Sequence, residues 1–318
     1  MLDSILYSIN NIMPIFIIVV LGAILGKTNF VNDGFLSVCD KLVFKISLPC
    51  MLFVEIVCAE SVEFNPRLIG YSIIAVILTI ILSYILVPFF IKDNGKRGAF
   101  IQGIYRSNAA IIGLTLAQNM FPENGTATMS TVMPVVVVLF NGFAVVILSI
   151  YAPADVKLTP KQLFVRISKS VATNPLIISI VLALLWKLSG ISLPVLANKS
   201  LNYLANMSMP LALISLGASF KAESLRGRFG LALISSAMKT ILVPAAVVLC
   251  AIPLGFRGVE LGTIFILFGG PASVSSYIMA KQMKSDHELA GQILLVSTLM
   301  SVATLFAGTL ILKQTGLI

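Results

Sequence analysis

Apolar runs of about twenty residues follow one another along the whole chain, and the longest polar break between them is APADVKLTPKQLFVR (152–166). A helix needs roughly 20 mostly apolar residues to cross the hydrocarbon core of a bilayer. Lipid satisfies no backbone hydrogen bond, so unbroken apolar runs of this length point to spanning α-helices. Read against their polar breaks, the runs fall at 11–27, 38–58, 67–91, 99–121, 127–151, 166–188, 195–219, 228–252, 259–281 and 288–312. The expected fold is thus an all-α membrane protein with ten transmembrane helices, numbered here as spans 1–10. A soluble alternative fails on composition. Only 11% of the 318 residues are charged and 58% are hydrophobic, against about 25% charged in an ordinary soluble domain.

The leader MLDSILYSINN carries Asp3 and no Lys or Arg, so the first run reads as a retained helix rather than a signal peptide, which has a positive n-region. The net charge of +9 comes with no basic cluster set apart from the apolar runs. It therefore points to cytoplasmic loops rather than to nucleic acid. Cys39, Cys50, Cys58 and Cys250 show no CxxC spacing, so they read as small apolar fillers and not as a zinc or redox motif.

The two halves repeat one another. Span 1 has NIMPIFIIVVLGAIL and span 6 ATNPLIISIVLALLW, with Pro14 and Pro175 161 positions apart. Ser47-Leu48-Pro49 in span 2 matches Ser208-Met209-Pro210 in span 7 at the same offset of 161, and Arg97-Gly98 matches Arg257-Gly258 at 160. Three matches in one register divide the chain into a first repeat (1–151), a linker (152–165) and a second repeat (166–318). Five helices per repeat is odd, so the second copy enters the membrane from the opposite side, as in the inverted repeats of secondary transporters.

Loop charge is an independent check on this arrangement. One set of loops holds Lys27; Lys92, Lys96 and Arg97; Lys157, Lys161, Arg166 and Lys169; Lys221, Arg226 and Arg228; Lys281 and Lys284, thirteen basic residues. The opposite loops and tail hold five: Arg67, Lys187, Lys199, Arg257 and Lys313. The positive-inside rule places the linker in the cytoplasm and both termini outside a plasma (inner) membrane.

Enzyme motifs are absent from this reading. The single histidine, His287, lies in KSDHEL, which offers neither a paired metal site nor a Ser-His couple. No Walker sequence or glycine-rich dinucleotide loop occurs, and no cofactor or metal is expected.

The informative segments are spans 4 and 9. Span 4, GAFIQGIYRSNAAIIGLTLAQNMFP, places Arg106, Ser107 and Asn108 near mid-membrane, followed by Gly113. Span 9, GTIFILFGGPASVSSYIMAKQM, has Gly269-Gly270-Pro271 at the corresponding depth, then Ser273, Ser275 and Ser276. Proline lacks an N–H and clashes with the preceding turn. A broken helix inside a bilayer is tolerated only where protein or a water-filled cavity satisfies its bare backbone groups. Inverted-repeat transporters use such breaks to aim half-helix N-termini at anionic substrates. A simple kink with satisfied serines is the plainer alternative.

RSNAAIIGLTLAQNMF and GGPASVSSYIMAKQMKSDHELAGQILLVSTLMS together resemble the auxin efflux carrier family of membrane transporters, bacterial relatives of the plant PIN carriers. The resemblance extends over the whole chain. It implies a five-plus-five inverted fold like that of bile-acid sodium symporters. Spans 4 and 9 would cross in a transport domain of spans 3, 4, 5, 8, 9 and 10, against a scaffold of spans 1, 2, 6 and 7 that is able to form a homodimer. It implies export or exchange of small carboxylates: indole-3-acetate in plants, malate or malonate in bacterial members. By position the family's crossover Asn falls on Asn108 and its span 9 Pro on Pro271. One departure is Gly113-Leu114-Thr115, where the family usually has Gly-Leu-Pro or Gly-Ile-Pro; the span 4 break must then rest on Gly113 and local polar groups.

Ionisable residues within the spans are functional candidates by default. Arg106 either holds a substrate carboxylate or serves a backbone carbonyl or lipid headgroup. Lys239 in span 8 lies about ten residues, roughly 15 Å, from the cytoplasmic end. That is too deep for easy snorkelling, so it faces a cavity or a polar partner and could stand in for a coupling cation. Lys41 and Lys45 either draw anions toward the cavity or snorkel to headgroups. Glu55 is expected to reach the outer interface. Asn141 and Gln118 are candidate cavity donors. Gly22 and Gly26 form a GxxxG suited to close helix packing, and Trp186 reads as an interfacial anchor. The site expected from these residues comprises Arg106, Ser107, Asn108, Gly113, Thr115, Asn141, Lys239, Gly270, Pro271, Ser273 and Ser275. It serves secondary transport of a small organic anion by alternating access. Rival readings are a sodium- or proton-coupled organic anion symporter of the bile-acid type and an anion-sensing membrane protein without flux.

Overall fold

A computed structural model describes residues 2–59, 65–109, 113–152, 160–219 and 227–318, with backbone alone for 2–12, 115, 160, 163 and 166. Lys157 and most of the expected linker, Lys221, Arg226, residues 110–112 and the side chains of Thr115 and Arg166 lie outside the described residues. Every regular element among the described residues is helical. In chain order the helices are α1 (Leu2–Lys27), α2 (Asp33–Leu42), α3 (Leu48–Val57), α4 (Pro66–Phe90), α5 (Asn94–Tyr105), α6 (Leu114–Met120), α7 (Gly125–Ile150) and α8 (Pro160–Ala172). They continue with α9 (Pro175–Leu188), α10 (Val195–Asn206), α11 (Ser208–Ala218), α12 (Phe229–Ala237), α13 (Val243–Ala251), α14 (Gly258–Gly269), α15 (Ser275–Gln282) and α16 (His287–Gln314).

Local chemistry explains most boundaries. Asn32, Asn65, Asp93, Asn174 and Asp286 each accept a backbone N–H of the helix that follows, the usual N-cap bond. Pro66 and Pro175 open α4 and α9, where the missing N–H is harmless. Two long helices are widened rather than broken ahead of a proline. A π-turn at Val43–Ser47 joins α2 to α3 before Pro49, and another at Met238–Leu242 joins α12 to α13 before Pro244. The wider turn makes room for the ring and absorbs the lost hydrogen bond.

Three expected spans differ from the sequence reading. Span 6 is two helices, because Asn174 caps a fresh start at Pro175 and leaves α8 as a separate piece. Span 7 divides at Met207, just ahead of Ser208-Met209-Pro210. Span 1 begins at Leu2, ahead of the expected residue 11.

By length and composition, Pro66–Phe90, Gly125–Ile150, Phe229–Ala251 and His287–Gln314 can each cross a membrane, and Pro175–Leu188 and Gly258–Gly269 are shorter apolar helices. Ribbons of large apolar side chains face outward: Ile74, Leu78, Ile81 and Ile85 on α4, and Ile178, Val181, Leu182 and Leu185 on α9. Water would disfavour so much exposed hydrocarbon, and lipid does not. The centre is the reverse. Gly98–Tyr105 of α5, Leu261–Gly269 of α14 and Ser275–Ala280 of α15 are buried without exception.

Around this centre α4 packs on α5 and α7, α12 on α16, and α13 on α14; apart from it α1 lies along α11, and α3 along α9 and α10. The α1–α11 contact is backbone to backbone. A Cβ on Gly22, Gly26 or Gly217 would collide with main-chain atoms of Ile214, Ala218 or Val19, as GxxxG packing requires. Asp40 of α2, 1% exposed, pairs with Lys281 of α15 at 2.6 Å. At one end of the bundle Arg228 bridges Asp286 (2.9 Å) and Glu288 (3.0 Å), while Ser285 Oγ donates to the Gly95 carbonyl.

Candidate functional site

Two helices stop and restart in the buried centre, and their interrupted stretches touch. α5 ends at Tyr105, and Arg106 leaves it in an extended conformation (φ −75°, ψ 129°). Ser107 and Asn108 continue outside any helix, and α6 begins at Leu114. The second interruption follows Gly269, where Gly270 is extended (φ −61°, ψ 155°) and α15 restarts at Ser275. The Asn108 N–H donates across the gap to the Pro271 carbonyl at 2.9 Å. A Cβ on Gly270 would lie 2.7 Å from Ser107 Oγ, so the bare glycine is what lets the two stretches meet.

The first break is displaced from its expected place. The sequence reading rests it on Gly113 and local polar groups; Gly113 is helical (φ −67°, ψ −47°), and the helix opens at the polar stretch Arg106–Asn108. No proline is needed there, because the Asn108 N–H takes a partner on the other broken helix instead of one in its own. Gly113 serves packing: a Cβ on it would press on Met129 Cε. The second break sits where Gly-Gly-Pro places it.

Arg106 is 1% exposed. Its guanidinium donates to Asn141 Oδ1 (2.9 Å) and Ser275 Oγ (2.6 Å), and reaches Gln102 Oε1 (3.4 Å) and Met279 Sδ (3.0 Å). Asn141 is itself oriented by donating to the Val137 carbonyl at 2.9 Å. Every partner of the cation is therefore neutral. Arg106 Nε, Ser107 Oγ and Asn108 Nδ2 have no hydrogen-bond partner among the described residues. Buried polar groups are normally paired, so three unpaired ones on consecutive residues mark a place left for something else.

Arg106, Ser107 and Asn108 line a cleft of about 460 Å³. Its walls are Met51, Leu52 and Glu55 of α3, the stretch Arg106–Ala109, Met133, Val136, Val137, Phe140 and Asn141 of α7, and Ser273 and Ser275. Apolar walls with a few convergent polar groups are the common build of a small-ligand site. A wider cavity of about 740 Å³ lies elsewhere, lined among others by Lys45, Ser149, Ser170, Thr173, Asn174 and Gln282.

The sequence reading had no signal for Glu55 in the site and sends it to the outer interface; the residue lines the cleft. Helix α3 alone does not say which of its faces meets α7. Gln118 is exposed and takes no part. Gly113, Gly270, Pro271 and Lys239 are not among the lining residues either. Gly270 and Pro271 form the crossing itself. Lys239, with no exposure at all, donates to the Phe268 carbonyl at 2.9 Å. Of the remaining expected lysines, Lys41 is exposed, and exposed Lys45 faces the wider cavity.

The comparisons agree with this picture. Residues 7–307 match the family described as membrane transport protein. An uncharacterized transporter of Methanocaldococcus jannaschii is 22% identical over 92% of this chain and 94% of its own. One of Methanothermobacter thermautotrophicus is 19% identical over 94% and 96%. The uncharacterized transporter YfdV of Escherichia coli K12 is 22% identical over 94% and 95%. Matched end to end with membrane transporters and built of apolar helices around a broken, polar centre, the chain belongs to the membrane transport protein family, that of the auxin efflux carriers.

Proposed function

We propose that the protein is a secondary transporter that carries a small carboxylate across the membrane by alternating access, binding it at the meeting point of the two broken helices. The observation that carries this reading is Arg106: a fully buried cation held only by neutral partners beside unpaired Ser107 Oγ and Asn108 Nδ2. A charge within the bilayer needs a counter-charge or a strong polar shell. A carboxylate supplies the missing charge and accepts from the unpaired donors. Bonds to an ionised group are the stronger ones. The N-terminal end of α15, whose Ser275 already holds Arg106, adds a favourable dipole. Glu55, which also lines the cleft, repels a second negative charge.

Further support comes from the packing. The pairs α4–α5 and α4–α7 in the first half have counterparts in α13–α14 and α12–α16 in the second, and α1–α11 has its counterpart in α9–α3. This exchange is what two inverted five-helix copies produce. In this reading α1–α3 and α9–α11 form the scaffold, and the helices around the two breaks form the moving domain. Both termini lie outside and the central linker in the cytoplasm. A negative interior favours anion exit by roughly 2.3 kcal/mol per charge per 100 mV, so export needs no coupling ion.

Counterflow in proteoliposomes tests the proposal. Vesicles loaded with unlabelled malonate, malate or indole-3-acetate should accumulate the corresponding labelled acid from outside. A sensor binds without exchange, so a folded protein that exchanges no acid in a broad panel would overturn the transport reading.

A further inference from the structure

Each broken helix has a cut C-terminal end, where carbonyl oxygens lose their partners and the dipole is negative. In membrane transporters such ends and the unwound carbonyls beside them coordinate the coupling cation. Here the cut end of α14 is already occupied. Lys239 reaches it from the π-turn between α12 and α13 and donates to the Phe268 carbonyl, one residue before the helix ends. Its side chain is completely buried and has no ion-pair partner among the described residues.

On the helices packed around Lys239, hydroxyl protons are given to backbone carbonyls. Ser235, Ser236 and Thr240 donate to the carbonyls of Phe100, Ile293 and Ser236. On α16, Ser297, Thr298 and Ser301 donate to Leu294 and Thr298 carbonyls, and Ser297 Oγ also accepts the Ala272 N–H. Among the described residues the Lys239 ammonium donates to the Phe268 carbonyl, at the negative end of α14.

We propose that Lys239 is a tethered cation that fills the cation position at the cut end of α14, so that the crossing is assembled without sodium or any other ion from solution. The proposal rests on the transporter reading above and deepens it: the substrate anion meets the Arg106 side of the crossing, while Lys239 holds the opposite side from within. The π-turn fits this role. It sets Lys239 in the stretch that packs on α14 and α16, and widened turns of this kind occur often at functional sites.

The test uses the purified full-length protein with N-methylglucamine as the sole added cation, following thermal unfolding as sodium, potassium or methylammonium chloride is added against choline chloride. The wild-type midpoint should respond to none of them beyond the choline control. Lys239→Ala opens a space of ammonium size beside the carbonyl. Its midpoint should fall by roughly 5 °C or more and recover with sodium or methylammonium but not choline. Lys239→Met fills the space without charge and should fall without recovery. A wild-type protein stabilised specifically by sodium, or a folded Lys239→Ala that no small cation restores, overturns the assignment. Should Lys239→Ala not fold, counterflow by wild type and Lys239→Arg decides: equal rates with and without sodium support the tethered cation, and sodium stimulation refutes it. Cation rescue without any flux would count against the transport reading alone, because unfolding is read without transport.

Discussion

The two interruptions at the centre of the molecule are made by different chemistry and left in different states. The second, Gly269–Val274, is coded by Gly-Gly-Pro, and its loose groups are taken up by neighbours: the Ala272 N–H by Ser297 Oγ at 3.1 Å, the Phe268 carbonyl by Lys239, and Ser273 Oγ by Ser275 Oγ at 2.8 Å. The first, Arg106–Asn108, contains no proline and leaves Arg106 Nε, Ser107 Oγ and Asn108 Nδ2 unpaired in the cleft. Leaving a buried donor unmade costs about 1–3 kcal/mol. That cost, carried on three adjacent residues, is sensible where a ligand offsets it. A break that is satisfied builds the crossing, and a break that is not satisfied binds.

This contrast gives three measurements, and the largest effect belongs to the first break. Arg106→Gln keeps a polar side chain but removes the charge that no protein anion neutralises. Carboxylate affinity, taken from the concentration dependence of counterflow, should fall roughly 10- to 100-fold, and the residual binding should lose its salt dependence. Unchanged affinity and unchanged salt response would end the binding role of this residue. Next comes the second break. Ser297→Ala strands the buried Ala272 N–H and should destabilise the protein by about 1–2 kcal/mol, a drop of roughly 2–6 °C in unfolding temperature. Affinity should stay within about twofold; a large affinity loss would mean that the second break also binds directly. The smallest effect is Ser107→Ala. Its hydroxyl is buried and unpaired, so stability should hold or rise slightly, while affinity falls by a few-fold as one neutral hydrogen bond is lost. If Ser107→Ala unfolds the protein as readily as Ser297→Ala, the distinction between the breaks is wrong.

The crossing also shows where a residue's role can be seen before folding and where it cannot. Gly270-Pro271 is legible because proline and glycine act on their own backbone, whatever surrounds them. Asn108 stands out as a polar side chain deep in an apolar run, while the break is expected at Gly113 and local polar groups, and Gly113 itself is helical. The helix opens at Arg106–Asn108 because the Asn108 N–H bonds to Pro271, and no local pattern announces a partner so far along the chain. Glu55 and Gln118 exchanged their expected roles for a related reason. Each is a polar residue in an apolar helix, and only the packing of α3 against α7 and the outward face of α6 decide which one meets the cleft.

The amino-acid sequence by itself determined that this chain is an apolar, helical membrane protein and that polar residues interrupt two of its apolar runs. These follow from hydrocarbon thickness and proline geometry, which act over a few residues at a time. The tertiary structure alone decided that α14 ends on the ammonium of Lys239, that Arg106 is ringed by Asn141 and Ser275 instead of a carboxylate, and that Glu55 turns inward. Each of those outcomes depends on which helix faces come together, and a side chain's direction is fixed only once the segments around it have packed.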